Sequence, residues 1–121
     1  MATISLEGME FYAHHGCFAE EQKIGTKFVV DVYMEADHKQ AAASDKIENA
    51  INYQKVYNVI REQMHIASNL LESVSDRVAN SILEKFPNVE SISVKVAKMN
   101  PPIGGQVKLS SVTVTKQQSK K

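Results

Sequence analysis

The sequence of 121 residues has a single cysteine, Cys17, so it can form no intrachain disulfide and needs no oxidising compartment. It also lacks an excess of either charge, because 14 basic residues balance 14 acidic ones. A binder of nucleic acid or of an anionic membrane usually has a basic surplus, so neither partner is expected. No apolar run approaches the roughly 18 residues of a membrane span, and the N-terminus has no pattern of a secretory signal. These absences predict a soluble, cytoplasmic protein.

Motifs for metal and phosphate binding are equally lacking. His14 and His15 are adjacent in an extended segment, so their side chains point to opposite faces and cannot chelate one metal together. His38 and His65 have no Cys or His partner at ligand spacing. There is no glycine-rich phosphate loop and no nucleophile motif of a hydrolase. We therefore predict no metal site, and we interpret Cys17 as a bystander.

Hydrophobic residues make up 43% of the chain and charged residues 23%, an ordinary globular composition that suits one domain over residues 1–121. Hydrophobic periodicity predicts four strands and two helices in the order β-β-α-α-β-β. The strands are expected over Thr3–Tyr12, Lys27–Ala36, residues 91–96 and residues 107–114, and the helices from an N-cap at Asn52 to about Ile66 and from about Asn69 to Phe86.

Phase changes in the strand patterns predict two β-bulges, one at Gly8 and one at Ser110–Ser111. The polar tail over residues 116–121 is expected to be frayed.

These elements predict an α+β fold in which both helices pack on one face of a four-stranded antiparallel sheet. Such an open sheet has two free edges, which invite pairing with another chain. We therefore expect subunits to join edge to edge into an oligomer.

Lys98 continues the parity of Ile92, Val94 and Val96, so it ends an apolar row and is expected to point inward. A desolvated lysine has a lowered pKa and can act as a general acid or base near neutral pH. The structural alternative is a lysine at a strand end that extends its amine to water.

Glu72 follows Asn69 by three residues, which is the spacing of a capping box at a helix start. The functional alternative is an anchoring carboxylate, which accepts two parallel hydrogen bonds from an N–H/NH2 edge of a heterocycle. Tyr53 follows the N-cap Asn52, and a tyrosine at a helix start usually packs its ring and lets its hydroxyl reach solvent. The segment over residues 98–105, with adjacent prolines and glycines, is either a rigid loop of a site or a hairpin connection.

Six segments together resemble the dihydroneopterin aldolases, enzymes of folate biosynthesis. They are LEGMEFYAHHG (6–16), EEQKIG (20–25), FVVDV (28–32), INY (51–53), NLLE (69–72) and KMNPPI (98–103). The resemblance covers Thr3 to Lys116, and the HHG, LLE and KxNPP blocks in this order and spacing are specific in combination.

The resemblance implies the tunnelling fold, in which sheets of different subunits join edge to edge into a tetrameric barrel. Two such rings stack into an octamer, and the active sites lie between subunits. It also implies that Glu72 holds the 2-amino-pyrimidinone edge of a pterin, assisted by the backbone of Leu71 and of Ile51 or Asn52.

The same resemblance implies that Lys98 is the acid/base residue and that Tyr53 is a second proton-handling group in a pocket shared with a neighbouring subunit. Glu21 would be a polar partner near Lys98, although Glu20 beside it is an alternative. The implied reaction is the retro-aldol cleavage of 7,8-dihydroneopterin into 6-hydroxymethyl-7,8-dihydropterin and glycolaldehyde. No cofactor is expected, because the N5=C6 imine of the substrate accepts the electrons of the broken bond.

Three alternatives remain open at this point. The first is an epimerase of the same fold that inverts the 2' carbon of dihydroneopterin or of its triphosphate; the triphosphate would require a basic cluster near the pocket. The second is a non-catalytic oligomer that binds a pterin or purine. The third is an aldolase that forms a Schiff base through Lys98, which borohydride trapping would reveal.

Overall fold

The structure is a computed structural model that describes residues 1–16 and 25–119. Its strands are β1 (Ala2–Ala13), β2 (Thr26–Ala36), β3 (Val89–Met99) and β4 (Leu109–Gln117). Its helices are α1 (Lys39–Ser44), α2 (Tyr53–Met64) and α3 (Leu71–Lys85), with a 3-10 turn at Ile47–Asn49. The strands form one antiparallel sheet in the order β1-β2-β3-β4. The predicted α+β architecture is therefore confirmed, with α1 and the 3-10 turn as additions.

The hydrophobic core lies between one face of the sheet and the helices α2 and α3. Alternating residues of the two central strands point into it because side chains of a strand alternate between its faces. The core residues of these elements are Val30, Val32 and Met34 of β2, Val94 and Val96 of β3, Val56, Ile60 and Met64 of α2, and Val74, Val78 and Ile82 of α3. Both helices thus cover the same face of the sheet, as the sequence predicts.

The predicted bulge at Gly8 is confirmed by a register shift between Leu6 and Met9 in the pairing of β1 with β2. Gly8 has a φ of +72°, a conformation that a glycine adopts without a steric penalty. Its N–H donates to Oδ1 of Asp31 at 2.7 Å, which satisfies a donor that the bulge takes out of the ladder.

The second predicted bulge, at Ser110–Ser111, is wrong. The pairing of β3 with β4 runs without a shift from Met99 opposite Leu109 to Ser91 opposite Gln117. The apparent change of phase arises because Val107 precedes the strand and because Leu109 lies on the face opposite Val112.

The expectation of a frayed tail is wrong for residues 116–118. Lys116 and Gln117 belong to β4, and Nζ of Lys116 forms an ion pair with Asp76 at 2.7 Å. The side chain of Gln118 donates to the backbone carbonyls of Leu83 in α3 and of Val89 at the start of β3. Contacts with α3, which composition alone does not reveal, hold this part of the tail in place.

The start of α2 is as predicted, since Oδ1 of Asn52 accepts hydrogen bonds from the N–H groups of Gln54 at 3.0 Å and Lys55 at 3.4 Å. The start of α3 differs: the helix begins at Leu71, and its N-cap is Leu70, which offers no side-chain cap. The capping box of Asn69 and Glu72 is therefore wrong, because Glu72 is the second residue of the helix instead of the third.

The first and last strands, β1 and β4, form the two edges of the sheet. Within the described residues, β1 pairs with β2 alone and β4 with β3 alone. In the same ranges, no helix is long and apolar enough to cross a membrane.

Candidate active site

A cavity of about 260 Å³ lies where the end of β3 meets the start of α3. It is lined by Gly16 after β1, by the segment over residues 69–72, by Lys98, by the loop over residues 101–103 and by Ser110. The structure therefore brings Glu72, Leu71 and Lys98 together. It also shows that the proline-rich segment is both a hairpin connection and a wall of this cavity.

Lys98 is placed at the cavity by the register of the central strands. It lies opposite Phe28 on β2 and Ser110 on β4, on the face that also presents Val94 and Val96 to the core. The residue is half-buried and lines the cavity. This geometry fits an amine that meets a ligand inside the cavity.

Glu72 is the second residue of α3, and its side chain is exposed. The first N–H groups of a helix have no intrahelical acceptors, and the helix dipole favours negative charge there. This position at the start of α3 also lines the cavity, so the cavity wall carries a carboxylate there. Leu71, the first residue of the helix, offers a backbone N–H of the same first turn beside it.

Ile51, Asn52 and Tyr53 lie in a different place. They line a second cavity of about 280 Å³ at the start of α2, together with Ile4 of β1 and Asn88 before β3. The side chain of Tyr53 is 65% exposed, so its hydroxyl is free to reach beyond its own chain. The two cavities share no lining residue among those that the structure describes.

Glu21, the remaining predicted site residue, lies outside the described residues, as do Glu20 and Cys17.

His15 is a feature of the site region that the sequence reasoning missed. Its side chain is fully buried, and Nδ1 accepts a hydrogen bond from the N–H of Ser68 at 3.2 Å. Its ring packs edge-on against Phe28, with centroids 5.1 Å apart. The available signal was parity, because His15 follows Met9, Phe11 and Ala13 at intervals of two on the inward face of β1.

Burial is the main cause that lowers the pKa of His15 from its ordinary value of 6.5 to about 4. The positive charges of Arg77 and Lys98 lower it further, as does His14, whereas the Met64 carbonyl acts in the opposite direction. The imidazole is therefore neutral near pH 7, which agrees with its role as an acceptor from Ser68.

A larger open cavity of about 600 Å³ lies along the β3–β4 connection, between Asn100 and Lys108. Its lining has a single charged side chain, that of Lys108, and no carboxylate. The smaller cavity with Glu72 and Lys98 is therefore the better candidate for chemistry. In the described part of the chain, no three His, Cys, Asp or Glu side chains lie close enough to hold a metal ion.

The family model of the dihydroneopterin aldolases (FolB) matches residues 4–115 of this chain. The chain belongs to the dihydroneopterin aldolase family. The dihydroneopterin aldolase of Bacillus subtilis strain 168 is 38% identical over 120 residues, which cover 98% of this chain and 100% of that protein. A dihydroneopterin aldolase of Streptococcus pyogenes serotype M18 is 33% identical, with 97% and 99% of the two chains covered.

Solved structures of the dihydroneopterin aldolase family share the fold. The Escherichia coli dihydroneopterin aldolase superposes with a TM-score of 0.88 at 23% sequence identity, covering 96% of this chain and 99% of that one. This likeness confirms the fold class that the sequence predicts.

Proposed function

We propose that this chain is a cytoplasmic dihydroneopterin aldolase, which cleaves 7,8-dihydroneopterin into 6-hydroxymethyl-7,8-dihydropterin and glycolaldehyde. The observation that supports the proposal most directly is the cavity that joins Glu72 to Lys98 in a chain of this family. The curated relatives from B. subtilis and S. pyogenes have this activity in their names. The E. coli enzyme of the same fold forms a complex with neopterin.

The substrate itself supplies the electron sink of the reaction. Loss of the proton from the 2'-hydroxyl forms the carbonyl of glycolaldehyde as the C1'–C2' bond breaks. The electron pair of that bond forms a C1'=C6 double bond, and the pair of the imine moves onto N5, which takes up a proton. C1' is then protonated, and N5 gives up its proton as the N5=C6 imine is restored. The protein has only to hold the ring and to move protons, and each use of general acid–base catalysis contributes roughly 10²- to 10⁴-fold in rate.

Glu72 is suited to hold the pterin ring. Its two carboxylate oxygens accept parallel hydrogen bonds from the 2-amino group and the adjacent ring N–H, a fork geometry that is specific for such an edge. The backbone of Leu71 contacts the same edge from the first turn of α3. Lys98, across the cavity, exchanges protons with the reacting end of the substrate, and Glu21 is its polar partner.

Tyr53 completes the site from a second chain, with Ile51 and Asn52 contributing backbone contacts to the pterin. This assignment is supported by the separation of the two cavities in one chain and by the exposure of Tyr53. The unpaired edges of β1 and β4 are the surfaces through which chains join into tetrameric rings, and two rings stack into an octamer.

The function is tested by incubating the purified protein with 7,8-dihydroneopterin in the presence of EDTA and separating the pterins by chromatography. We expect 6-hydroxymethyl-7,8-dihydropterin and glycolaldehyde in equal amounts. A 2'-epimer without any cleavage would contradict the proposal in favour of the epimerase. Unchanged substrate would contradict the proposal in favour of a protein that binds a pterin without cleaving it. A covalent adduct trapped by borohydride would contradict the acid–base mechanism.

A further inference from the structure

His15 has no part in the proton transfers just described, yet it is a polar side chain buried beside the cavity. Its exposed fraction is 0%, and Nδ1 accepts from the N–H of Ser68 at 3.2 Å. The N–H of the next residue, Gly16, donates to the carbonyl of Ser68 at 2.9 Å. Two hydrogen bonds thus tie the end of β1 to one residue of the connection between α2 and α3.

The tautomer of His15 follows from these contacts. Because Nδ1 accepts a hydrogen bond, the proton of the neutral ring is on Nε2. Nε2 is buried; the Met64 carbonyl interacts with the imidazole, although no acceptor among the described residues meets full hydrogen-bond geometry at Nε2. A buried donor without a well-formed hydrogen bond lowers stability, by up to about 1–3 kcal/mol when it is wholly unpaired. The histidine is accounted for by the acceptor that it offers to Ser68.

Ser68 is also held from the other side, by Arg77 of α3. Nη1 of Arg77 donates to Oγ of Ser68 at 2.7 Å, and Nη2 donates to the carbonyls of Gln63 at 2.9 Å and Ile66 at 2.8 Å. Arg77 therefore joins the connection to the two helices, whereas His15 and Gly16 join it to the sheet. Residues 69–72, which follow Ser68 directly, form the wall of the cavity that faces Lys98.

We propose that His15 is a positioning residue whose neutral imidazole holds Ser68 against the end of β1 and so fixes Glu72 at its working distance from Lys98. This inference rests on the proposed function, because the distance matters only if one ligand contacts both side chains. His15 itself touches neither the pterin nor the reacting atoms.

Three substitutions separate the acceptor from the volume of the ring. His15→Asn places Oδ1 where Nδ1 is and keeps the hydrogen bond from Ser68. His15→Leu fills the space without an acceptor, and His15→Gln keeps a polar group but moves its acceptor one methylene further along the side chain. Ile82→Val is the matched control, since it removes about 1 kcal/mol of packing from α3 and Ile82 does not line the cavity.

The measurements are kcat and KM for cleavage, thermal unfolding, and hydrogen exchange of the Ser68 amide. We expect kcat/KM to fall by about 10- to 100-fold in His15→Leu and His15→Gln, as misplacement by about 1 Å can cause. His15→Asn should recover most of the loss, and Ile82→Val should retain wild-type kinetics. The Ser68 amide should exchange faster in the Leu and Gln variants only.

Wild-type kinetics in His15→Leu, or an equal loss in His15→Asn, would overturn the proposal. So would an equal loss in Ile82→Val, which would show that lowered stability alone impairs the enzyme. Absence of cleavage by the wild type would contradict the proposed function instead. Hydrogen exchange then still decides the role of His15, since equal exchange of the Ser68 amide in all variants would overturn it.

Discussion

Lys98 and Lys95 lie on the same strand but on opposite faces of the sheet, which makes them a matched pair for testing the acid/base role. Lys98 lines the cavity, whereas Lys95 pairs in register with Asp31 and Thr113 on the face away from the helices. We predict that Lys98→Ala lowers kcat at least about 100-fold, since a proton-transfer step loses its donor. Product affinity, measured by a fluorescence titration, should change little.

Lys95→Ala should keep the wild-type kcat. Equal losses in both variants would point to the net charge of the sheet as the cause, and an active Lys98→Ala enzyme would contradict the assignment.

Glu72→Ala is expected to weaken binding of the pterin, whereas Lys98→Ala is expected to lower turnover and leave binding nearly unchanged. Without the carboxylate, two donors of the pterin edge remain unpaired, and loss of such charge-assisted bonds costs about 1.5–3 kcal/mol each. The dissociation constant of 6-hydroxymethyl-7,8-dihydropterin should therefore rise at least about tenfold. Glu84→Ala, at an exposed position of the same helix, serves as the control. Unchanged affinity in Glu72→Ala would return Glu72 to a role in stabilising the start of α3.

The pKa of His15 predicts a specific dependence of stability on pH. As pH falls below 6.5 the unfolded chain binds a proton at His15, but the folded chain resists until about pH 4. The unfolded state therefore gains stability over this window, and the free energy of unfolding falls by about 2 kcal/mol between pH 7 and pH 5. The loss is complete below pH 4.

Denaturant titrations at the two pH values, at one protein concentration, measure this difference. His15→Asn has no titratable group at this position and should lose about 2 kcal/mol less between the two pH values. An identical pH dependence in both proteins would contradict a buried neutral His15.

The site residues differ in how far the sequence could predict them. Parity along β3 is enough to predict that Lys98 lies on the same face of the sheet as Val94 and Val96, and the strand register agrees with that prediction. The position of Glu72 required the actual start of α3, which lies at Leu71 and removes the capping box. His15 had the right parity, but its partner Ser68 lies 53 residues further along the chain, and no local pattern predicts that contact.

At the level of the elements, Gln118, the residue that follows β4, contacts the end of α3, in addition to the ion pair of Lys116 with Asp76. Its Nε2 donates to the carbonyls of Leu83 at 3.0 Å and Val89 at 2.9 Å, and more weakly to that of Phe86 at 3.4 Å. The last carbonyls of a helix have no intrahelical donors, so this amide pairs the Leu83 carbonyl of α3 and also connects it to Val89 at the start of β3.

Gln118→Ala is therefore predicted to lower the free energy of unfolding by about 1–3 kcal/mol. Gln117→Ala is the control, because Gln117 is exposed, and its free energy of unfolding should stay within about 0.5 kcal/mol of wild type. Thermal unfolding of the two variants measures the difference. Equal stability would show that the tail contributes nothing to the end of α3.

The elements follow local rules where their residues are periodic and depart from them where tertiary contacts decide. The four strands, the bulge at Gly8 and the cap at Asn52 were predicted, because alternation, a phase change and an Asn before an apolar stripe are local signals. The short helix α1 has no buried residue, so hydrophobic periodicity could not indicate it. The order around residues 116–118 depends on α3, which no property of the tail itself reveals.

At the scale of the whole molecule, the position of Tyr53 determines how the site must be built. Tyr53 lies at the start of α2 in one cavity, and Lys98 lies in another, with no described lining residue in common. We therefore propose that the site takes these two side chains from two chains. Within the described residues, β1 and β4 each leave one edge without a strand partner, and these edges are candidate surfaces for that contact.

The central claim, a cleavage site shared between chains, is tested most directly by mixing two inactive variants. Lys98→Ala and Tyr53→Ala proteins are unfolded together in equal amounts, refolded, and assayed for cleavage of 7,8-dihydroneopterin. If each site takes Tyr53 from one chain and Lys98 from its neighbour, about a quarter of the sites in mixed oligomers are intact, and activity returns to that extent. No recovery above the separate variants would contradict the account, because each chain would then supply both side chains of its own site and every site would lack either Lys98 or Tyr53.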